Sequence, residues 1–268
     1  MPELPEVETI RRQLLPIYRG EIIDRVKTQK VRIFQNIAPE EFAKLLKGRK
    51  ILDITRYGKF CIFNCGSAYA VFHLGMSGIF LKDKRDSFHP QHIHIQFHFS
   101  TGKELYFQDV RKFGKVWLFE EQPEFDKLGI DPTTRKFTLN NFQKLLNLRQ
   151  MNIKFLLMNQ SVLAGIGNIY ANEILFNAGI SPFRKSNDLK EEEIAGLYSS
   201  VRLILNQAMK KFGTSYSAYR TVSGEKGKNQ RFLKVYQRTN QECYRCSNPI
   251  KKIVMGSRST FYCENCQK

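Results

Sequence analysis

Residues 92–99 read His92-Ile93-His94-Ile95-Gln96-Phe97-His98-Phe99, and this alternation decides the fold class. Successive side chains of a β-strand point to opposite faces, so a period of two puts Ile93, Ile95, Phe97 and Phe99 on one face. His92, His94, Gln96 and His98 fall on the other. Working outward, further short β-rich runs stand at 21–27, 51–56, 60–65, 69–74, 104–110 and 115–119, interrupted by one helical stretch at 39–47. Several short strands of this kind imply a sandwich or a barrel.

The period changes on both sides of this block. Ahead of it, Leu4, Val7, Ile10 and Leu14 follow helical spacing over 3–17, with Pro5 tolerable in a first turn. Beyond residue 137 the pattern turns helical at 139–148, 151–158, 166–178 and 189–212, the last two stopped by Gly179 and Gly213. Strands followed by helices suggest two domains, which 268 residues accommodate comfortably. Residues 221–230, TVSGEKGKNQ, hold no large apolar anchor besides Val222 and read as a mobile loop ahead of a terminal module.

With 42% apolar and 25% charged residues the composition is that of a globular chain, which excludes disorder as the main state. No uninterrupted apolar run reaches the ~18 residues of a membrane span. Glu3, Glu6 and Glu8 stand where a secretory signal would be basic and then apolar. The expectation is a cytoplasmic protein with no membrane association, in a reducing compartment where cysteines serve as thiols or metal ligands. Lys and Arg number 43 against 25 Asp and Glu, a net charge of +18 that predicts a polyanionic partner. The excess is concentrated after residue 148, so the C-terminal part is the expected grip on nucleic acid.

The most specific local pattern is Cys243-x2-Cys246-x16-Cys263-x2-Cys266. Two close pairs separated by a hairpin-length insert supply four thiolates to one structural Zn2+ at Zn–S ~2.3 Å. Such a site has no open position and so no catalytic role. Within the insert, the Gly256-Ser257 turn presents Arg258 at the hairpin tip. Cys61 and Cys65, at i and i+4 on an expected strand, read as core residues instead. The five histidines lie between His73 and His98 without carboxylate or thiolate ligands at a recognisable spacing, which favours a polar strand face over a metal cluster.

The N-terminus offers a candidate chemistry. Removal of Met1 before the small Pro2 exposes a secondary amine, whose attack on a sugar C1′ gives a permanently cationic iminium and thus an electron sink. Glu3 and Glu6 are three residues apart and neighbours on one helical face, where a carboxyl beside that amine can shuttle protons. Glutamates at a helix start are equally favoured by the macrodipole, so these residues alone leave both readings open.

The segments MPELPEVETIRR (1–12), HLGMSG (73–78), DVRKFG (109–114), LAGIGNIYANEILF (163–176) and the closing cysteine pairs occur in the order found in formamidopyrimidine-DNA glycosylases, which the chain resembles over its full length. The resemblance implies an α+β protein: an N-terminal catalytic β-sandwich domain with flanking helices (1–136), a helical helix-two-turns-helix DNA-binding domain (137–240) and a zinc-finger β-hairpin (241–268). It implies a bacterial base-excision repair enzyme, a bifunctional DNA glycosylase/AP lyase that removes 8-oxoguanine and formamidopyrimidines from damaged double-stranded DNA. In that reading Pro2 forms the Schiff base that leads to β,δ-elimination, and Glu3 is the general acid/base at the sugar ring oxygen. Glu6 supports it, and Lys59 contacts the phosphate near the lesion. Met76, Arg111 and Phe113 fill the void left by the everted nucleotide. Lys154, Asn168 and Arg258 contact backbone phosphates, with Gly167 allowing close approach at a helix start.

The resemblance further implies a monomer with one structural Zn2+ and no redox or nucleotide cofactor. Departures stand at HPQH (89–92), where only His92 aligns with a phosphate contact, at the charged GEKGKNQ of the loop expected to cap the lesion, and at Phe155, where a proline is usual. An endonuclease VIII-like glycosylase for oxidised pyrimidines is the alternative, although those relatives usually carry Gly where Leu4 stands. A non-catalytic damaged-DNA-binding protein would leave Pro2 and Glu3 idle.

Overall fold

The computed structural model describes residues 1–216 and 218–268. Helix α1 (Leu4–Tyr18) starts directly after Glu3, with Pro5 in its first turn, where a missing N–H costs no hydrogen bond. Its stripe of Leu4, Val7, Ile10, Leu14 and Tyr18 is buried, at the spacing expected for one helix face. Two antiparallel four-stranded sheets follow. One has the order β1 (Ile23–Thr28), β6 (Ile93–Phe99), β7 (Glu104–Asp109), β5 (Gly78–Leu81); the other runs β2 (Asp53–Tyr57), β3 (Phe60–Asn64), β4 (Tyr69–His73), β8 (Lys115–Phe119). Helix α2 (Pro39–Leu46) packs on β1.

The sheets share one core, in which Phe97, Phe99 and Phe107 meet Cys61, Phe63 and Phe72. Ring contacts Phe72–Phe107 at 5.4 Å and Phe63–Phe80 at 5.6 Å bridge them in offset or tilted geometries. Cys61 and Cys65 are core residues, as expected, and burial pushes each thiol up to about 12.

Two strand expectations are corrected. The deciding strand begins at Ile93, because Pro90–His92 form a 3-10 turn ahead of it. A bulge between Ile93 and Ile95 then rotates the strand, so Ile93 joins Ile79, Leu81 and Tyr106 in a satellite cluster on the opposite side from Ile95 and Phe97. The bulge also buries His94, whose Nε2–H donates to the Asp109 carbonyl at 2.9 Å, so His94 does not belong to an exposed polar face. Strand β5 was not expected from the sequence. Its four residues are all buried, which erases any alternation.

By internal contacts the chain forms two units, Met1–Phe125 with Lys211–Gln230, and Asp126–Lys210 with Arg231–Lys268. The segment Lys211–Gln230, placed by sequence with the helical part, thus packs within the first unit. Residues 221–230 are anchored there, contrary to the mobile loop expected. Val222 is buried in the core, its N–H donates to Gln13 Oε1 at 3.0 Å, and its carbonyl accepts Lys82 N–H at 3.1 Å. Gly227 N–H donates to Ser215 Oγ and Asn229 N–H to the Gly213 carbonyl, so the hold comes from pairings that composition does not reveal. The second unit holds α3 (Leu139–Asn147), α4 (Ile153–Met158), α5 (Asn168–Ala178) and α6 (Glu191–Lys210), closed by the hairpin β9 (Lys251–Met255) and β10 (Arg258–Tyr262). Gly179 ends α5 at φ +72, a left-handed cap that glycine adopts without cost. Among the described residues no helix is long and apolar enough to cross a membrane.

Glu8 ties α1 to β2. Its carboxylate meets Arg11 Nη2 at 2.8 Å, Arg12 Nε at 2.7 Å and Arg56 Nε at 3.1 Å. Although burial opposes ionisation, the arginine hydrogen bonds and charges win and hold its pKa down to about 2. A folded-state pKa below the unfolded value of about 4.3 gives stability that is present above that value and lost as pH falls through it toward 2. Glu8→Gln is therefore expected to lower Tm at pH 7, with the gap to wild type closing between pH 5 and pH 2 in thermal melts. A gap that is independent of pH would refute this.

Candidate active site and nucleic-acid interface

In the first unit the chain is enclosed from its second residue, while Met1 itself is 46% exposed. Pro2, Glu3, Glu6 and Lys59 are all buried, the last in the turn between β2 and β3. Glu6 Oε2 accepts the Glu3 N–H at 2.8 Å, and Glu6 Oε1 accepts the Thr214 N–H at 2.7 Å. One carboxylate thereby joins the first turn of α1 to the turn after α6. Gly213, at φ +75, makes that approach: a Cβ there would lie 2.7 Å from Glu6 Oε1. The Met1 amine is lowered from its ordinary pKa, chiefly by burial. Glu3 and Glu6 oppose that shift, and Lys59 and Arg111 reinforce it. Four groups chosen from sequence, Glu3, Glu6, Lys59 and Arg111, are thus within electrostatic reach of the terminal amine. Once Met1 is removed the Pro2 nitrogen becomes the terminal amine, and the Glu3 carboxyl next to it in the chain is placed for proton transfer.

Arg56 supports Lys59 from behind. Its side chain is buried against Glu8 and donates from Nη1 to the Gly58 carbonyl at 2.8 Å, which fixes the turn that carries the lysine.

Met76, Arg111 and Phe113 stand together at the ends of β4 and β7. Phe113 and Met76 are exposed, at 52% and 37%, although both are large and apolar. The Arg111 guanidinium lies 4.8 Å from the Phe113 ring centre. Their two loops touch through backbone, since a Cβ on Gly75, at φ +59, would come within 2.4 Å of the Phe113 carbonyl. Exposed apolar groups flanking a cation suit insertion into a stack of bases. His92 is half-buried in its 3-10 turn, with its ring centre 6.3 Å from that of His94.

In the second unit, Lys154, Asn168 and Arg258 converge on one strand. Lys154 Nζ donates to the Ser259 carbonyl at 3.2 Å and to Thr260 Oγ1 at 2.6 Å, while Asn168 Nδ2 donates to the same Ser259 carbonyl at 3.0 Å. Arg258 is the neighbouring residue. Burial first, and the Arg258 charge second, bring the Lys154 pKa down to about 8. Gly256 and Ser257 take φ +49 and +61, the two positive values of a tight hairpin turn, and they set Arg258 at the tip as expected. A Cβ on Gly256 would lie 2.8 Å from the Phe155 ring, so the phenylalanine found in place of a proline packs against the turn.

The sulfurs of Cys243, Cys246, Cys263 and Cys266 lie within 4.8 Å of one another, with Cys243–Cys266 at 3.8 Å and Cys246–Cys263 at 3.4 Å. Four sulfurs around zinc at ~2.3 Å stand about 3.8 Å apart, so the thiolates fit one structural Zn2+. Behind them Val235, Ile250 and Phe261 form a small core. Sequence reasoning missed Asp109 and Ser77, which join the two wedge loops. Only the family motifs around them offered a signal.

The model of the formamidopyrimidine-DNA glycosylase N-terminal domain matches residues 1–116, that of the formamidopyrimidine-DNA glycosylase H2TH domain residues 128–219, and that of a zinc finger found in FPG and IleRS residues 240–268. A formamidopyrimidine-DNA glycosylase of Lactobacillus delbrueckii subsp. bulgaricus is 38% identical over 273 residues, covering 100% of both chains. The Lactococcus lactis Fpg in complex with an abasic site containing DNA superposes with a TM-score of 0.90 at 35% identity, covering 99% of each chain. A MutM in complex with carbocyclic 8-oxo-G containing DNA also gives 0.90 at 35% identity, covering 100% of each. Sandwich, helical unit and closed zinc hairpin together define a zinc-finger DNA glycosylase/AP lyase. The chain belongs to the formamidopyrimidine-DNA glycosylase family.

Proposed function

We propose that this protein excises 8-oxoguanine and formamidopyrimidines from damaged double-stranded DNA, acting as a monomer in the bacterial cytoplasm and held to the nucleoid by DNA. The observation that carries this reading is the burial of Pro2, Glu3, Glu6 and Lys59, with the charges of Glu3, Glu6 and Lys59 all acting on the terminal amine. After Met1 is removed, the Pro2 nitrogen attacks C1′ of the everted nucleotide, and the damaged base leaves with the glycosidic electron pair. Glu3 protonates the sugar ring oxygen as the ring opens, giving an iminium that withdraws electrons from C2′. Loss of a C2′ proton then expels the 3′ phosphate, and δ-elimination expels the 5′ phosphate. Lys59 stabilises the phosphate beside the lesion.

Met1–Phe125 with Lys211–Gln230 carry this chemistry in our reading, and Asp126–Lys210 with Arg231–Lys268 hold the backbone through Lys154, Asn168 and Arg258. His92 is a further phosphate contact. Met76, Arg111 and Phe113 occupy the space left by eversion, with Arg111 facing the estranged base.

Borohydride trapping tests the chemistry. Protein whose mass shows that Met1 is absent is expected to form a covalent adduct through Pro2 on a duplex carrying 8-oxoguanine opposite cytosine. Faster trapping on an oxidised pyrimidine would favour the endonuclease VIII-like alternative. Tight binding with no adduct on either duplex would favour a non-catalytic binder. For the wedge, Arg111→Ala is expected to reduce discrimination among bases opposite the lesion by about ten-fold, the scale of a lost bidentate base contact. Equal losses against all four opposing bases, measured in single turnover, would remove the readout role.

A further inference from the structure

Asp109 ends β7 with no solvent exposure. Its Oδ1 accepts the Ser77 hydroxyl, and its Oδ2 accepts the Gly114 N–H at 2.6 Å. Because an ionised carboxylate only accepts, Ser77 must donate to it, which leaves the Ser77 oxygen to accept the Arg111 N–H at 2.9 Å. The Asp109 carbonyl receives Lys112 N–H at 3.4 Å and His94 Nε2–H at 2.9 Å. One buried residue thereby spans both wedge loops, the one carrying Met76 and the one carrying Arg111 and Phe113.

The loops need such a hold. Lys112 sits at φ +55, a conformation that a residue with a side chain adopts reluctantly, and it turns the chain between Arg111 and Phe113. Because Met76 and Phe113 face outward, core packing does not fix them. Hydrogen bonds to a buried charge are roughly twice as strong as neutral ones, and here they replace that packing.

We propose that Asp109, acting through Ser77, is a positioning residue that sets Met76, Arg111 and Phe113 in one rigid wedge before DNA arrives. This rests on the reading of those three as void-filling groups. Ser77→Ala and Asp109→Asn, made in the full chain with a free Pro2, separate the wedge from the chemistry on two substrates. One is a duplex with 8-oxoguanine opposite cytosine or adenine, where a void must be filled. The other is a single strand with a preformed abasic site, where no partner base is estranged.

Both variants are expected to lose about ten-fold or more in single-turnover excision from the duplex, the scale of one hydrogen bond to a charged group. Discrimination between opposing cytosine and adenine should collapse with it, and cleavage of the single strand should stay within about two-fold of wild type. Unchanged duplex excision in Ser77→Ala overturns the proposal. So does an equal loss on the single strand, which marks general damage to the fold. Arg111→Ala and Phe113→Ala run in parallel. If they leave duplex excision and discrimination intact, the void-filling reading itself falls, and the clamp falls with it.

Discussion

Glu3→Gln is expected to reduce base excision from an 8-oxoguanine duplex by about 10²- to 10⁴-fold, the range spanned by a positioned general acid or base. The replacement keeps the shape of the side chain and an oxygen that can accept the Glu6 N–H, and removes the negative charge together with the ability to exchange a proton. The bond that organises the start of α1 runs from the Glu3 backbone N–H to Glu6, so it survives the change. Glu6→Gln differs in kind, because Glu6 accepts two backbone N–H groups and an amide nitrogen cannot accept. Single-turnover excision, read beside the melting temperature of each variant, separates the two roles. Excision by Glu3→Gln within about three-fold of wild type would refute the acid/base assignment.

Removing zinc should have the second large effect. Chelation is expected to weaken DNA binding at least about 100-fold, equivalent to about 2.7 kcal/mol, while the first unit stays folded. Zinc supplies folding free energy outright in modules of this size, on the order of 10 kcal/mol in finger peptides. The hairpin core of Val235, Ile250 and Phe261 is too small to replace it. Once β10 loses its place, the Ser259 carbonyl no longer orients Lys154 and Asn168, and Arg258 leaves the tip. The three phosphate contacts proposed for Lys154, Asn168 and Arg258 are therefore expected to fail together. Trp117, the single tryptophan, lies on β8 of the first unit and reports that unit by fluorescence. Retained DNA affinity after verified metal loss would refute the prediction, as would a Trp117 emission shift to that of the unfolded chain.

How far the sequence reached depended on the separation between partners. The period of α1 is a property of neighbouring residues, and its buried stripe is the one read from Leu4, Val7, Ile10 and Leu14. The zinc ligands are equally local, since two short cysteine spacings bring four thiolates within reach once a hairpin forms. The N-terminal residues were legible as types, a secondary amine and two carboxyls one turn apart. Their capacity for catalysis was not, because the macrodipole explains the same glutamates.

Where pairing decided, local reading stopped. Ile93 lies outside the main core because β7 opposes β6 with one residue out of step, and no feature of 92–99 records that bulge. Strand β5 is buried on both faces, so it lacks the alternation by which strands are found. Glu6 meets a partner 208 residues away, Lys154 one at 105, and Asp109 one at 32. Periodicity, ligand spacing and charge are short-range consequences of backbone geometry and composition, and from them alone came a strand block followed by helices, the zinc set and the expectation of a polyanionic partner, while the choice of a sandwich over a barrel came with the family motifs. The burial of Pro2 with Glu3, Glu6 and Lys59, the convergence on Ser259 and the Asp109 clamp were decided only by tertiary structure. Each depends on burying a polar group whose partner arrives from another element, a cost met only when the whole core closes.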